Sequence, residues 1–385
     1  MSLYNLKVNK NLTLITVSIL ISLSLITGAS FIKNNKKIDE KYNEDSSFEI
    51  RNETSQTERL NFISDGVNLD TIFSYKEPLI ENNSINESGK CRLLATGDIV
   101  IGRSVNYMTV TSNNFKLPFE KTAEFLKSFD ITFVNFESPL VEKCPITIEG
   151  MIFCGDKRNI EGLVYSGIDI VNLANNHMGN FGKEGIDTTV KLLEEKEIAY
   201  TGLGEPSILE VNGKKFGFLG YNEVADAGPY VSGTDPSVIE REIKQLRDKV
   251  DFLVVAFHWG VEYTSNPSDN QVKLAHLVID SGADLIIGNH PHWVQGVEIY
   301  KDRFISYAHG NFIFDQMWSE ETREGVIGEY IFDDKGLIGI NYYPIIIENY
   351  NQPRFAVKKE AEKILTRMRD SSLNLIEHIN CNQEY

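Results

Sequence analysis

The sequence predicts an α/β fold with two mixed sheets and helices outside them, and three observations carry that expectation. Continuous apolar runs such as Phe252-Leu253-Val254-Val255-Ala256-Phe257 and Leu285-Ile286-Ile287 read as parallel strands covered on both faces. Between these runs lie segments with apolar residues at helical spacing, as βα units require. Each run also ends in polar residues. Ligands of open α/β sheets gather outside the carboxyl ends of the strands, so this polar rim is the first place to look for a site.

Taken in order, residues 1–32 predict a hydrophobic helix that is a signal or membrane anchor. Lys7 and Lys10 precede an uncharged stretch from 12 to 32, and Lys33, Lys36 and Lys37 follow it. The stretch exceeds a short signal core, which favours an uncleaved single-pass anchor in the cell membrane. Thr27-Gly28-Ala29 permits cleavage after Ala29, so secretion is the alternative. A large acidic domain follows and can cross regardless of local charge, so that domain is expected outside the cytoplasm. Residues 33–90 are rich in Asn, Glu and Ser and read as a low-order linker, with short ordered pieces between 60 and 73.

Residues 91–350 form the main domain. Leu93-Leu94-Ala95 leads to Asp98, and residues 119–129 carry a helical stripe. Ile131-Thr132-Phe133-Val134 leads to Asn135 and Glu137, and Ile168 to Leu173 leads to Asn176 and His177. Helices are expected at 183–197, 236–249 and 268–281. The 252–257 run leads to His258 and the 285–287 run to His290 and His292. Residues 298–307, 325–332 and 337–347 read as antiparallel strands, the last two joined by the turn Asp333-Asp334-Lys335-Gly336. Residues 351–385 are a helical extension with a closing helix at 356–379.

Composition narrows the function. With 42% hydrophobic and 10% aromatic residues most of the chain should be globular. A net charge of −17 excludes the basic footprint that nucleic acid needs, and argues against adhesion to anionic lipid by bulk charge. An anionic substrate would have to be held by local cations, which bound metal ions can supply. The cysteines Cys91, Cys144, Cys154 and Cys381 allow a bridge between Cys144 and Cys154 that staples a short hairpin. A second bridge, Cys91 to Cys381, would close the folded region into one loop; four free thiols are the alternative.

The rim residues decide the chemistry. Asp98, Glu137, Asn176, His258, His290 and His292 offer carboxylate, amide and imidazole donors without thiolate, a set suited to zinc, manganese or iron. Six donors exceed a closed four-ligand site. Two divalent ions sharing a carboxylate would use them all; such pairs, roughly 3.5–4 Å apart, activate water and clamp an in-line displacement at phosphorus. Each residue has a plainer reading. Asp98 can cap the next element, Asn175-Asn176 can close a turn, and His258 alone can be a packed structural histidine. His290-Pro291-His292 is stronger, since side chains two apart in extended chain point the same way.

The motifs Thr96-Gly-Asp98-Ile-Val-Ile-Gly-Arg103, Asn135-Phe-Glu137-Ser-Pro-Leu140, Leu173-Ala-Asn-Asn-His177, His258-Trp-Gly-Val-Glu262, Gly288-Asn-His-Pro-His292-Trp-Val-Gln295 and Gly310-Asn-Phe-Ile-Phe-Asp-Gln316 together resemble a known family. It is that of the CapA-type capsule synthesis proteins of poly-γ-glutamate biosynthesis, relatives of the calcineurin-like metallophosphoesterases. The resemblance implies a four-layer α/β/β/α sandwich with a two-metal site. It implies an anchored extracytoplasmic protein acting with other capsule synthesis or export subunits on an anionic polymer, poly-γ-glutamate, or on a phosphoester. Carried over by motif, Asp98 and His292 would bind the first ion, Glu137 would bridge, and Asn176, His258 and His290 would bind the second. His177 would face the leaving group as general acid or oxyanion stabiliser, and Arg103 would contact a substrate phosphate or carboxylate. Glu262 and Gln295 would be supporting partners or plain surface residues.

The chain departs from the pattern at three places. Val100 stands where metallophosphoesterases have a histidine, so one ion loses a ligand, and a single metal or a weaker pair is expected. Asn180 replaces an aspartate. Ala308-His309 replaces a more usual serine- or alanine-leucine pair, and His309 either fills the vacant coordination position or packs or hydrogen-bonds beside the rim. Two readings follow: a metal-dependent hydrolase of phosphoesters, and a non-catalytic polymer-binding assembly or export subunit that keeps the fold. A polymer-cleaving amidohydrolase on the same metals is a third.

Overall fold

Leu93, Leu94 and Ala95 are fully buried, as a strand covered on both faces requires, and the architecture grows outward from that strand. The computed structural model describes residues 68–80, 89–224 and 228–382. The expected anchor and most of the linker lie outside the described residues. Among the described residues no helix is long and apolar enough to cross a membrane.

The described chain begins with a one-turn helix, α1 (Leu69–Ile72), capped by Asn68. Then come β1 (Cys91–Ile99), α2 (Arg103–Ser112), α3 (Ala123–Leu126), β2 (Ile131–Phe136), the short strands β3 (Leu140–Val141) and β4 (Gly155–Asp156), α4 (Ile160–Tyr165), β5 (Ile170–Asn172), α5 (Gly182–Glu195) and β6 (Ala199–Thr201). The second half runs β7 (Ser207–Val211), β8 (Lys214–Asn222), α6 (Pro236–Arg247), β9 (Phe252–His258), α7 (Asp269–Ser281), β10 (Leu285–Asn289), β11 (Val297–Tyr300), β12 (Arg303–Ser306) and β13 (Asn311–Ile313). It closes with β14 (Glu324–Asp333), β15 (Gly336–Glu348), β16 (Gln352–Phe355) and α8 (Lys358–Asn382).

These strands make an eight-stranded sheet, ordered β16-β15-β14-β1-β2-β5-β6 with β13 also on β1, a six-stranded sheet, β11-β12-β10-β9-β8-β7, and the small separate pair β3-β4. In the first, β1, β2, β5 and β6 are parallel; in the second, β8, β9, β10 and β12 are parallel. The sheets face each other across one apolar core, to which Ala95, Phe133 and Ile170 contribute from the first and Phe218, Val254 and Ile287 from the second. The outer face of the first sheet is covered by Leu126, Leu163 and Leu193 of α3, α4 and α5. That of the second is covered by Ile243 and Leu246 of α6 with Leu274 and Val278 of α7. The result is four layers, helix on sheet on sheet on helix. Helix starts are set locally: Asp235 caps α6 ahead of Pro236, and Ser268 with Gln271 forms a reciprocal capping box on α7, each cap worth about 1 kcal/mol.

Several elements differ from the sequence expectation. The 119–129 stripe becomes a 3₁₀ turn and the single-turn α3, because Thr122 has a non-helical backbone; its apolar residues are buried all the same. Helix α2 was not expected, since its residues are largely polar and show no clear apolar face. Residues 298–307 split into the hairpin β11–β12, and β12 also runs parallel to β10. Cys144 and Cys154 form the expected disulfide; Cys91 and Cys381 form none, for Cys91 is buried on β1 against Val211 while Cys381 is exposed at the end of α8.

Candidate metal centre

All the carboxylates and imidazoles expected in the site come from the carboxyl ends of parallel strands in both sheets. Asp98 lies near the end of β1, Glu137 one residue past β2, His258 at the end of β9 and His290 one residue past β10. Gly97 permits this crowding: a Cβ there would collide with the carbonyl of Gly310, whose oxygen accepts from Asp98 N at 2.9 Å and sets β13 alongside β1. After β10 the chain turns sharply, with His290 at φ 98° and His292 at φ 57°. Left-handed backbone at two non-glycine residues is strain of the kind that gathers at functional sites.

Two donor groups meet here, Asp98 with Glu137 and His258, and Glu137 with His290 and His292, their ligand atoms within 4.8 Å of one another in each group. Both contain Glu137. His258 Nε2 lies 3.4 Å from Glu137 Oε1, 3.1 Å from His290 Nδ1 and 2.9 Å from Asn176 Oδ1. His292 Nδ1 lies 3.1 Å from Asp98 Oδ2. The donors therefore form one continuous cluster about Glu137. His258 falls with Asp98, and His290 with His292, across the division by motif.

Both oxygens of Glu137 are buried and neither has a hydrogen-bond partner. A buried carboxylate without partners is costly, and coordination to a cation relieves that cost. The donor set fits: five buried side chains and the amide of Asn176 supply oxygen and nitrogen only, as hard to borderline divalent ions prefer.

The electrostatics agree. Burial holds the His258 pKa down at about 3 and lowers that of His290 as well, so both rings are neutral and present lone pairs. Burial also opposes charge on His292, but Glu137 and the hydrogen bond and charge of Asp98 outweigh it and raise the pKa to about 9. Burial alone would raise Asp98; the His292 hydrogen bond and charge more than offset it, and its pKa falls. Burial and then the Asp98 charge push Glu137 well above the carboxylate range.

Supporting residues were only partly foreseen. Asn135 donates to Asp98 Oδ1 at 2.7 Å, stands 3.2 Å from His258 Nδ1, and is itself held by Asn172 at 2.9 Å. Asn311 Oδ1 lies 2.8 Å from His292 Nδ1. Asn135 and Asn311 stand inside the motifs quoted above, yet nothing in the sequence distinguishes a support from a ligand. His309 lies outside the cluster: its ring is buried between the Thr96 carbonyl and Tyr330 Oη, the latter 2.9 Å away, and burial lowers its pKa to about 4. Val100 packs with Phe153 and Phe314, so the side that lacks a histidine is walled with apolar groups. Gln295 is buried and bonds Gln271 at 2.9 Å, away from the donors.

His177 stands at the mouth, with Nε2 3.9 Å from Glu137 Oε1, and burial lowers its pKa to about 4. Arg103 is also at the mouth, but its fork is engaged by Asp315, and Nη1 donates to Gly150 O at 3.3 Å. Its guanidinium lies over the rings of Phe153 and Phe314, 4.7 and 5.2 Å from their centroids.

Fold and rim together define a two-sheet α/β protein with a buried carboxylate and imidazole cluster suited to divalent cations. The profile of the bacterial capsule synthesis protein PGA_cap family matches residues 92–316, more than half of the chain, and the protein belongs to that family. It is 31% identical over 284 residues to the capsule biosynthesis protein CapA of Bacillus anthracis, covering 68% of this chain and 69% of that one. It is 29% identical over 291 residues to the PGA biosynthesis protein CapA of Bacillus subtilis (strain 168), covering 71% and 76%. Among solved structures, a novel phosphatase from Mycoplasma pneumoniae aligns with a TM-score of 0.45 at 14% identity, over 67% of this chain and 94% of that one.

Proposed function

We propose that this protein is a membrane-anchored, extracytoplasmic component of capsule polymer synthesis or export, and that its Glu137 cluster holds divalent cations for hydrolysis of a phosphoester. The observation that carries the metal reading is the unpartnered, buried carboxylate of Glu137 amid Asp98, His258, His290 and His292. The names of the Bacillus CapA relatives support the polymer pathway, with poly-γ-glutamate as the candidate polymer. The long uncharged stretch at 12–32 supports the anchor.

Asp98, Glu137, Asn176, His258, His290 and His292 would hold the metal, manganese, zinc or iron. A bound pair would supply a water-derived nucleophile and the positive charge that an anionic substrate needs in a chain of net charge −17. The protein's own part is orientation. Asn135 and Asn311 fix the first donors, and His177, 3.9 Å from Glu137, faces the space where a reacting group would stand. Arg103 adds positive charge at the rim, although a substrate anion must share it with Asp315.

One observation favours a second reading, a non-catalytic polymer-binding assembly subunit: Val100, with Phe153 and Phe314 behind it, removes a donor from one side of the cluster. Elemental analysis of the purified full chain, paired with a manganese-supplemented phosphodiester assay, separates the two. Near two equivalents of metal with metal-dependent turnover supports the hydrolase. One equivalent or none, without turnover, supports the assembly subunit.

A further inference from the structure

Asn180 lies three residues after His177, and its side-chain oxygen has two neighbours. The backbone N–H of Phe153 donates to Oδ1 at 2.7 Å, and His177 Nδ1 lies 3.1 Å from the same atom. A peptide N–H can only donate, so the amide atom facing Phe153 is the oxygen. An oxygen can only accept, so His177 Nδ1 is the donor and carries the ring proton. A neutral imidazole has one such proton, which leaves Nε2 with its lone pair, 3.9 Å from Glu137 Oε1.

The partner that fixes Asn180 is itself held. Phe153 is buried, precedes the disulfide residue Cys154 and packs edge-on against the His177 ring at 4.4 Å between centroids. The ring also meets Phe314, near perpendicular, at 5.6 Å between centroids. The same disulfide-closed loop, through Gly150 O, holds Arg103. Loop and turn thus lock against each other at the mouth of the cluster.

We infer that Asn180 is a positioning residue: anchored by Phe153 on the loop closed by Cys144 and Cys154, it fixes His177 as the Nδ1–H tautomer and presents Nε2 to the cluster as an acceptor. In this form His177 receives a hydrogen bond or a proton from whatever stands above Glu137, water first of all. It acts as an acid only after taking that proton. An aspartate at 180 would accept the same two hydrogen bonds but add a negative charge that favours the doubly protonated ring; asparagine gives the orientation without the charge. The tautomer follows from hydrogen bonding alone, whereas its chemical consequence rests on the metal-centre reading.

The test is nitrogen NMR of the full chain labelled in its seven histidines, at neutral pH with a chelator present, His177 being assigned with His177→Gln. The expected result is a protonated Nδ1 and a lone-pair Nε2 for His177. Asn180→Leu should lose that pattern and Asn180→Asp should keep Nδ1 protonated, the other histidine signals staying in place as the check on folding. The double variant Cys144→Ser/Cys154→Ser should move His177 towards a tautomer mixture. An Nε2–H ring in the parent, or an unchanged His177 pattern in Asn180→Leu, overturns the inference; an unchanged pattern in the double cysteine variant overturns the role of the loop. The readout needs neither metal nor turnover, so failure of the hydrolase reading leaves it intact.

Discussion

His292 Nδ1 lies 3.1 Å from Asp98 Oδ2, and the two side chains form a buried ion pair at the place where a cation would sit. With its pKa raised to about 9, His292 holds a proton at neutral pH. A metal ion that takes His292 as ligand must displace that proton, so uptake should release it and affinity should grow as pH rises towards 9, by about tenfold per unit for one displaced proton. For the chelated protein the sign is opposite. A raised histidine pKa contributes stability that is complete below the unfolded value of 6.5 and lost as pH rises through about 9. Titration calorimetry in buffers of different ionisation heat measures the release; a heat independent of buffer would remove His292 from the ligand set.

His290 and His177 should separate binding from chemistry. His290 stands within the donor cluster, so His290→Ala should weaken metal binding by about a hundred-fold or more. His177 stands at the mouth and belongs to neither donor group, so His177→Ala should keep the metal and lower any hydrolysis by roughly 10²–10⁴-fold. Metal content and turnover of both variants check this. Two variants that bind and turn over like the parent would mean the site lies elsewhere.

The rim was legible because apolar runs followed by polar residues state both a buried strand and its end. Asp98, Glu137, His258 and His290 were placed correctly at strand ends from that pattern alone. What the sequence hid depends on neighbours distant along the chain. Arg103 reads as a substrate contact, and only the fold shows that Asp315, 212 residues away, shares its fork. His309 reads as a packed ring with a ligand role as the lesser alternative, and only the fold shows Tyr330 Oη 2.9 Å from its Nε2. Helix α2 lacks an apolar stripe, because only a few of its residues, Val105 among them, face the core. Local spacing carries no information about such partners.

Thiol chemistry should report the cysteine pairing directly. Cys381 is exposed, Cys91 is buried with its pKa raised chiefly by burial, and Cys144 and Cys154 are bonded to each other. A disulfide-exchange reagent should therefore modify one thiol per native chain, a second only on unfolding, and two more only after reduction. Removing the bridge, which spans 10 residues, should cost about 2–4 kcal/mol. Denaturant unfolding of Cys144→Ser/Cys154→Ser measures it, and a count of no thiols in the unfolded, unreduced chain would instead reinstate a Cys91–Cys381 bridge.

Glu137 should show opposite effects on stability and on binding. Burial and the nearby Asp98 charge raise its pKa well above 4.5 in the folded chain, so the unfolded chain releases this proton first as pH rises. A raised carboxyl pKa therefore disfavours folding at pH above 4.5, and the penalty grows with pH until the folded group also ionises. Glu137→Gln removes the titration while keeping nearly the same shape. In chelator at neutral pH the variant should be more stable than the parent by on the order of 1 kcal/mol, a few degrees in Tm. With saturating manganese or zinc the order should reverse, because only the carboxylate joins both donor groups and only the parent gains stability from the bound ion. Thermal unfolding of both proteins with and without metal gives the four values needed. If metal stabilises Glu137→Gln as much as the parent, the carboxylate is not the shared ligand and its unpartnered oxygens need another explanation.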